Sequence, residues 1–570
     1  MTNATLNGKP YAGNPHVRFE VGGSRIGKPR RGSLLYRMQL TVIAGLAALG
    51  AFADVPARGV PTGCDPSVMS AAYWAIWNAD EQARIDADIE RNRKADCETE
   101  VSAPEGAEVK VEQLSHAFRF GAHAFRVGRR KTEEINRRYE ENFARIFNQA
   151  TIAFYWRAFE PFPGDCHFHT RPGDLESAFT TGVRDAMDPH SRYLSSPARS
   201  TDQFIEFAKN HGMIIHGHPL VWGSEEYMVP FWLYEQYCPE SEKAFLRLPR
   251  KDPRTITRLY GDADWVEAWR KRIRELYAQY TEEEIAARCP TYLANMKRLY
   301  AKRIAEILDY CGDRVDSWDV VNESVLDWRQ YGAGGSGKPL TKSKYGILPP
   351  DYTLESFRIA AKHVSGLPKL TINDNQKLED YRRQIDDLVA HGARIDMIGW
   401  QFHVFFDADF NKLVAGERIG WPYSSTPGDF RKIFETLGGS GRPVSLSEIT
   451  LPSPGRTEKS MVQQAIAAWN FYRLWFSQPS CCGITWWHTL DDAGLKGVGA
   501  ENCAAGLMDP EANPKPAYRA LDELINGLWR TDLSLAAKDG KVSFRGFRGR
   551  YRLSWTDADG QAQRKFVVVE

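Results

Sequence analysis

Two glutamates stand where apolar sequence gives way to polar sequence at the end of a predicted strand. Glu323 closes the run WDVVNE at 318–323, and Glu448 lies within VSLSEIT at 444–450. A pair of carboxyl groups can cleave a glycosidic bond, because one protonates the departing oxygen while the other attacks or activates water. A single glutamate of this kind is usually a solvated surface residue, but two at strand ends favour catalysis.

Eight short apolar or β-branched runs are predicted to be strands, and helical patterns alternate with them. The predicted strands are 116–124, 149–156, 213–222, 315–323, 368–375, 396–404, 443–450 and 483–489. The predicted helices include 201–211, 291–310, 351–364, 376–391, 457–477 and 514–526. This alternation predicts an α/β fold, a closed (β/α)8 TIM barrel. Glu323 and Glu448 then end strands four and seven, at the mouth where barrel enzymes place their catalytic groups.

The flanking segments do not fit the barrel pattern. Residues 116–530 are assigned to the barrel, with a long insert at 223–290 that we expect to lie over the active-site face. The C-terminal extension 531–570 alternates like antiparallel strands. Together with 94–113, part of an N-terminal extension at 54–115, it is predicted to form a small appended β-sheet. We favour a capping role for this sheet, with sugar binding as the alternative.

Residues 1–53 are predicted to be a leader or signal region. The apolar run LTVIAGLAALGAFA at 40–53 is 14 residues long and ends in Ala-Phe-Ala. It is short for a membrane span, and its end resembles a signal-peptidase site. We therefore expect a secreted or periplasmic protein with no membrane association after processing. A buried helix or a membrane anchor is the alternative.

Composition and cysteine spacing argue against several partner classes. The chain has 74 basic and 73 acidic residues, so no electrostatic footprint for nucleic acid is present. Nine cysteines are scattered without zinc-type spacing, and one or two disulfides are possible in an oxidising compartment. His216, His218 and His403 have metal-like spacing but lack a placed carboxylate ligand. We expect no metal, no organic cofactor and a polysaccharide or oligosaccharide as the partner.

Several of these segments resemble family 10 glycoside hydrolases, the family of endo-β-1,4-xylanases, over roughly residues 85–530. WDVVNE at 318–323 matches the family segment whose glutamate is the general acid/base, and Ser447-Glu448-Ile449 matches the segment that carries the nucleophile. The resemblance implies a retaining mechanism in which Glu323 protonates the leaving oxygen and Glu448 attacks the anomeric carbon. Substrate would be xylan-like and cleavage endo-type.

Other segments match the same family in the same order along the chain. HGHPLVW at 216–222 resembles its RGHTLVW run, NPKPAY at 513–518 matches its last-helix motif, and Asn373-Asp374 resembles an IND segment that we interpret as structural support. The resemblance implies that His403 and Asn322 keep Glu448 ionised and oriented. It also implies substrate-binding residues in subsite −1, which are His218, Trp222, Asn322, Gln401, His403 and Trp487.

The sequence departs from the family where sugars on the non-reducing (glycone) side of the cleaved bond are held. The family has ENxxKW at the end of strand two, whereas this chain has TIAFYW at 151–156 and keeps only the Trp. Each lost hydrogen bond to sugar is worth roughly 1 kcal/mol. Gly223 also replaces a family His, and a later Trp is missing from 491–499. A different or heavily decorated β-glycoside is therefore the alternative substrate, and a non-catalytic carbohydrate-binding barrel is the less favoured one.

Overall fold

The computed structural model describes most of residues 55–570. The ranges outside the description are 129, 131, 161–162, 170–199, 225–227, 250–262, 333–336, 344–345, 365, 421–424 and 492–503. The predicted leader at 1–53 and part of the insert therefore lie outside the described residues. Within the described residues, no helix is long and apolar enough to cross a membrane.

Eight parallel strands close into a barrel, as predicted. They are Arg119–His123, Gln149–Ala153, Ile214–His218, Ser317–Asn322, Lys369–Asp374, Met397–His403, Val444–Thr450 and Cys481–Trp486. Each pairs with the next in parallel, the eighth pairs with the first, and the fourth pairs with the fifth. Strands with both faces covered carry near-continuous apolar runs, and every residue of the sixth strand is buried.

Helices connect the strands on the outside of the barrel. The connecting helices are Glu133–Ile146, Trp156–Phe159, Thr201–Asn210, Phe231–Tyr237, Glu240–Leu246, Ala263–Gln279, Glu282–Arg288, Pro290–Cys311, Val325–Tyr331, Tyr352–His363, Leu378–Ala390, Asp407–Val414, Pro427–Gly438, Glu458–Ser477 and Pro516–Asp522, the last continuing as a π-helical turn, Glu523–Leu528. Side-chain caps fix several starts, as where Thr457 Oγ1 accepts from the Ser460 amide at 3.1 Å.

One glycine shows how the third strand meets the fourth. A Cβ atom at Gly217 would lie 2.3 Å from the indole ring of Trp318. The two strands can pair at that height because residue 217 has no side chain. The histidines on either side of Gly217 therefore lie close to the fourth strand, which carries the first of the two glutamates.

The insert packs against the outside of the barrel wall in its described part. Glu242 accepts hydrogen bonds from the amides of Thr291 and Tyr292, both at 2.8 Å, at the start of helix Pro290–Cys311. A carboxylate at this position satisfies free amides and complements the helix dipole. These contacts join the insert to the helix that precedes the fourth strand, and residues 250–262 of the insert lie outside the description.

An appended sheet from both chain ends covers the opposite end of the barrel. It pairs Glu108–His116, Asp532–Ala536, Gly549–Thr556 and Ala562–Val569 as antiparallel strands, and Lys94–Glu100 pairs separately with Lys541–Phe547. His116 packs edge-on against Phe120 of the first barrel strand, with ring centroids 5.4 Å apart. These contacts lie at the end of the barrel opposite Glu323 and Glu448.

The cysteines in the described residues are thiols. Cys64, Cys97, Cys166, Cys238, Cys289, Cys311, Cys481 and Cys482 are all free, and Cys503 lies outside the description. The disulfides that the sequence left possible are therefore not formed among these eight.

A buried ion pair anchors the segment 513–518 to the loop after the eighth strand. Lys515 Nζ donates to Asp491 Oδ1 at 2.8 Å and to Ser453 Oγ at 2.9 Å, and the two charged side chains are 4% and 3% exposed. Burial raises the pKa of Asp491, and Lys515 opposes that rise. The pair sets a cation against the Asp491 carboxyl group where both side chains are almost fully buried.

Replacing Lys515 by methionine is expected to lower the free energy of unfolding by about 3 kcal/mol, because a buried carboxylate loses its buried cation and keeps, among its described partners, only the more exposed Arg456 and the Gly506 amide. Urea unfolding followed by tryptophan fluorescence measures the change. Lys459→Met, at an exposed lysine on a barrel helix, is the matched control. Equal stability of the two variants would show that the pair contributes nothing.

Candidate active site

The two glutamates lie at the same mouth of the barrel. Glu323 directly follows the fourth strand, and Glu448 lies near the end of the seventh strand. Gln401 on the sixth strand donates through Nε2 to Glu448 Oε1 at 3.1 Å. The charge of Glu448 raises the pKa of Glu323, so the two carboxyl groups lie close enough to act on one bond.

The backbone at Glu323 turns sharply. Its φ of 52° is in the left-handed region, which non-glycine residues seldom adopt. The Glu323 amide donates to Asn373 O at 2.7 Å, and the Asp374 carboxylate accepts from the Val325 amide at 2.9 Å. These contacts hold the turn, and strained backbone of this kind is common at functional sites.

The environment of Glu323 favours its protonated form. Desolvation of the carboxyl group, followed by the charges of Glu448 and Asp374, raises the pKa of Glu323 to about 8. Hydrogen bonds from Gln401 and Trp222 offset part of that rise. A carboxyl group that stays protonated near neutral pH can donate a proton to a leaving group, which agrees with the expectation for this residue.

Glu448 is held by three side-chain groups. Asn373 Nδ2 and Gln401 Nε2 approach Oε1 at 2.7 and 3.1 Å, and His403 Nε2 approaches Oε2 at 3.2 Å. His403 Nδ1 is 2.8 Å from Thr450 Oγ1, so the hydroxyl can donate there and leave the imidazole proton on Nε2, facing the carboxylate. The carboxylate is therefore fixed in one orientation.

Asn322 acts on Glu448 through two other amide side chains. Its Oδ1 accepts from Asn373 Nδ2 at 3.0 Å and from Gln401 Nε2 at 3.2 Å, the two amides that bind Glu448. Asn322 thus orients the donors, and Asn373, interpreted from sequence as a structural support, contacts Glu448 itself. The match of Asn373-Asp374 to the IND segment at the end of strand five was the sequence signal that could have placed Asn373 beside Glu448.

Burial opposes the expected role of His403 and Asn322 in keeping Glu448 ionised. Burial is the largest influence and raises the pKa of Glu448 to about 7, although His218 and Asn373 lower it. His403 adds no positive charge, because burial lowers its own pKa to about 3. Glu448 nevertheless has the lower pKa of the two glutamates and ionises first.

A buried aspartate lies behind Glu448. Asp319 Oδ2 is 2.9 Å from His216 Nε2 and 2.8 Å from His218 Nδ1, and His218 Nε2 is 3.8 Å from Glu448 Oε1. Burial opposes ionisation of Asp319, but the two histidines prevail and set its pKa at about 2. The sequence indicated His218 as a sugar partner, and the structure adds that Asp319 orients its ring.

Trp487 lies at the centre of a group of rings at the mouth, the aromatic wall, which also includes His218, Phe125 and His403. Its ring stands edge-on to His218 and Phe125, with centroids 5.1 and 5.7 Å apart, and His403 lies at 6.4 Å. Trp222 lies at the other side, 6.3 Å from Tyr155. All six predicted subsite residues therefore lie at one mouth with the two glutamates.

The second strand ends without the family's polar groups. Thr151 and Ile152 are buried, and the Tyr155 ring lies 5.7 Å from His218. Trp156, the one residue kept from the family segment, points away from the mouth, and its Nε1 donates to Glu160 Oε2 at 2.8 Å. Among the described residues, no three His, Cys, Asp or Glu side chains are placed to hold a metal ion.

Comparison with known proteins agrees with this geometry. Residues 268–524 match the model of the family described as Glycosyl hydrolase family 10. Over this range the chain is similar to glycoside hydrolases of family 10. The matched range includes both glutamates and every barrel strand from the fourth to the eighth.

The relatives of this glycoside hydrolase are xylanases at low identity. Endo-1,4-beta-xylanase B of Thermotoga neapolitana is 24% identical over 60% of this chain and 77% of its own length. Endo-1,4-beta-xylanase A of Halalkalibacterium halodurans is 28% identical over 44% of this chain and 48% of its own length. Xylanase 10B from Thermotoga petrophila, solved with xylobiose, is 20% identical with a TM-score of 0.44, covering 72% of this chain and 94% of that one.

Proposed function

We propose that the chain is a retaining hydrolase that cleaves internal β-1,4-xylosidic linkages in a xylan-like polysaccharide. The observation that carries the proposal is the placement of Glu323 and Glu448 at one mouth, with Glu448 held by three side-chain groups and having the lower pKa of the two. Pairs of carboxyl groups with separated pKa values divide the acid and base roles between them. The names of the relatives support xylan as the substrate class.

In the proposed mechanism Glu448, once ionised, attacks the anomeric carbon and forms a covalent glycosyl ester. Glu323 gives its proton to the departing glycosidic oxygen in the same step. In the second step Glu323, now a carboxylate, takes a proton from water, which displaces Glu448 from the sugar. The amides of Asn373 and Gln401 hold Oε1 of Glu448 and His403 holds Oε2, so the carboxylate keeps one orientation for attack.

A different or decorated β-glycoside is the second candidate substrate. Ile152 and Tyr155 stand where hydrogen bonds to glycone sugars are expected and offer apolar or aromatic surface instead, and Thr151 keeps only a buried hydroxyl there. Tyr155 can pack against a sugar face, but Ile152 cannot replace a hydrogen bond to a hydroxyl group. This favours a substrate that gains little from linear xylose units on the glycone side.

One experiment tests both statements. Linear xylo-oligosaccharides of increasing length are hydrolysed and the first-formed product is followed by proton NMR. We expect the β-anomer first, because two displacements retain configuration, and a gain in kcat/KM of less than about tenfold for each added glycone unit, since a hydrogen bond gives about 1 kcal/mol. An α-anomer would overturn the retaining mechanism. A steep gain with length would show that linear xylan is bound normally.

A further inference from the structure

Two histidines that the mechanism does not use lie beside the aromatic wall of the mouth. His123 ends the first strand, and His488 follows Trp487 after the eighth. The His123 ring is 5.3 Å from the Trp487 ring and 5.5 Å from the His488 ring, measured between centroids. The pair therefore adjoins Trp487, whose ring also lies against that of His218.

Three of the four ring nitrogens of this pair are buried without a hydrogen-bond partner. His123 is 3% exposed and His488 2%, and neither Nδ1 of His123 nor either ring nitrogen of His488 has a hydrogen-bond partner. Thr151, whose Cα is in register with that of His123 on the second strand, is in the same condition at Oγ1. Buried polar atoms are normally paired, so four unpaired atoms in one place at the mouth point to an external partner.

Both imidazoles are neutral. Burial, the neighbouring His488 and the charge of Arg126 hold the pKa of His123 well below its usual range. Burial, His403 and Arg126 likewise lower the pKa of His488 to about 3. A neutral imidazole offers one donor and one acceptor, which is the pattern that a hydroxyl group complements. The pair has no charge with which to select a charged sugar.

We propose that His123, His488 and Thr151 form a hydrogen-bonding surface for the hydroxyl groups of an uncharged glycone sugar that lies against Trp487. The inference rests on the proposed function and names the residues that take over glycone recognition in this chain. The family's polar groups at the end of strand two are absent, and these groups stand at the end of strand one, on strand two and after strand eight. They are specificity-determining residues and take no part in bond cleavage.

The test compares hydroxyl recognition between wild type and two variants, His488→Leu and His488→Gln. The substrates are 4-nitrophenyl β-xyloside and its monodeoxy analogues. For at least one hydroxyl, its removal from the substrate is expected to lower kcat/KM of the wild type about tenfold. The same removal is expected to leave kcat/KM of His488→Leu almost unchanged, because the imidazole that would bind the hydroxyl is already absent. His488→Gln, which keeps a donor and an acceptor, should restore part of the difference. His391→Leu, at the exposed end of an outer helix, is the control.

Stability separates binding from a structural role. Leucine removes two unpaired polar atoms from a buried place, so His488→Leu is expected to raise the Tm while weakening hydroxyl recognition. A lowered Tm with equal loss on all substrates would overturn the proposal, and so would deoxy penalties identical in all variants. Preference for a 4-nitrophenyl β-glucuronide over the β-glucoside by more than tenfold would overturn the uncharged class.

Failure of the proposed function is a distinguishable result. If wild type turns over no aryl β-glycoside, the hydrolase proposal is overturned and the pair is judged by calorimetric binding of xylobiose. Weaker binding to His488→Leu than to wild type and His391→Leu would then support the surface, and equal binding to all three would overturn it.

Discussion

Replacing Glu448 by alanine is expected to reduce kcat by at least about 10⁴-fold on every substrate, because the group that attacks the sugar is removed. Activated aryl glycosides should lose as much as natural linkages, since a good leaving group does not supply a nucleophile. Asn373, Gln401 and His403 lose their shared partner in this variant, so its Tm must be measured beside its rate. Steady-state kinetics on 4-nitrophenyl β-xyloside and on xylo-oligosaccharides measure the effect.

Rescue by azide shows whether Glu448 acts as a nucleophile or only as a charge. A small anion can enter the space that the side chain leaves, and attack from that face gives an α-glycosyl azide, inverted relative to the substrate. Glu435→Ala, at an exposed glutamate on the helix before the same strand, is the matched control and should keep wild-type rates. Glu448→Ala with more than a tenth of the wild-type rate on any substrate would contradict the role.

The barrel could be predicted from sequence because its strands have both faces covered. The sixth strand was predicted at 396–404 and is Met397–His403, and the fourth was predicted at 315–323 and is Ser317–Asn322. In the sequence such strands are short apolar runs between helical patterns, and the polar residues at their C-terminal ends mark the mouth. Glu323 and Glu448 could be located for the same reason, since each follows or ends such a run.

The contacts around Glu448 could not be predicted, because they depend on register between strands. Register shifts lie between Thr371 and Ile372 against the fourth strand, and between Trp400 and Gln401 against the seventh. Shifts of this kind re-aim the residues that follow, and they are common beside active sites. Periodicity in one strand carries no information about its neighbour's shift. Asn373 was therefore assigned a supporting role and Asn322 a direct one.

The proximity of His123 and His488 could not be predicted from the sequence, for a related reason. His123 and His488 lie at opposite ends of the barrel's sequence and become neighbours when the eighth strand pairs with the first. Neither belongs to a motif on which the resemblance to the family was argued, so each alone indicates an ordinary core histidine. Closure of the barrel is what places them together beside Trp487.

The loss of kcat/KM on replacing Glu323 by alanine is expected to depend on the leaving group of the substrate. On xylo-oligosaccharides kcat/KM should fall roughly 10³-fold, because the departing sugar oxygen needs a proton, whereas 2,4-dinitrophenyl β-xyloside should lose less than about tenfold in its glycosylation step. Asp539→Ala is the matched control, since Asp539 is an exposed carboxylate with φ 51°, close to the 52° of Glu323. This control separates loss of the acid from strain of alanine in a left-handed position.

The pH profile gives the same variant a second, independent readout. In wild type kcat/KM should rise as Glu448 ionises, with a pKa of about 7, and fall as Glu323 loses its proton, with a pKa of about 8. Since only the protonated form of Glu323 is an acid, Glu323→Ala should lose the alkaline fall on the activated substrate and keep the rise on the acid side. Equal losses on activated and natural substrates, or an alkaline fall unchanged from wild type, would show that the proton comes from another group.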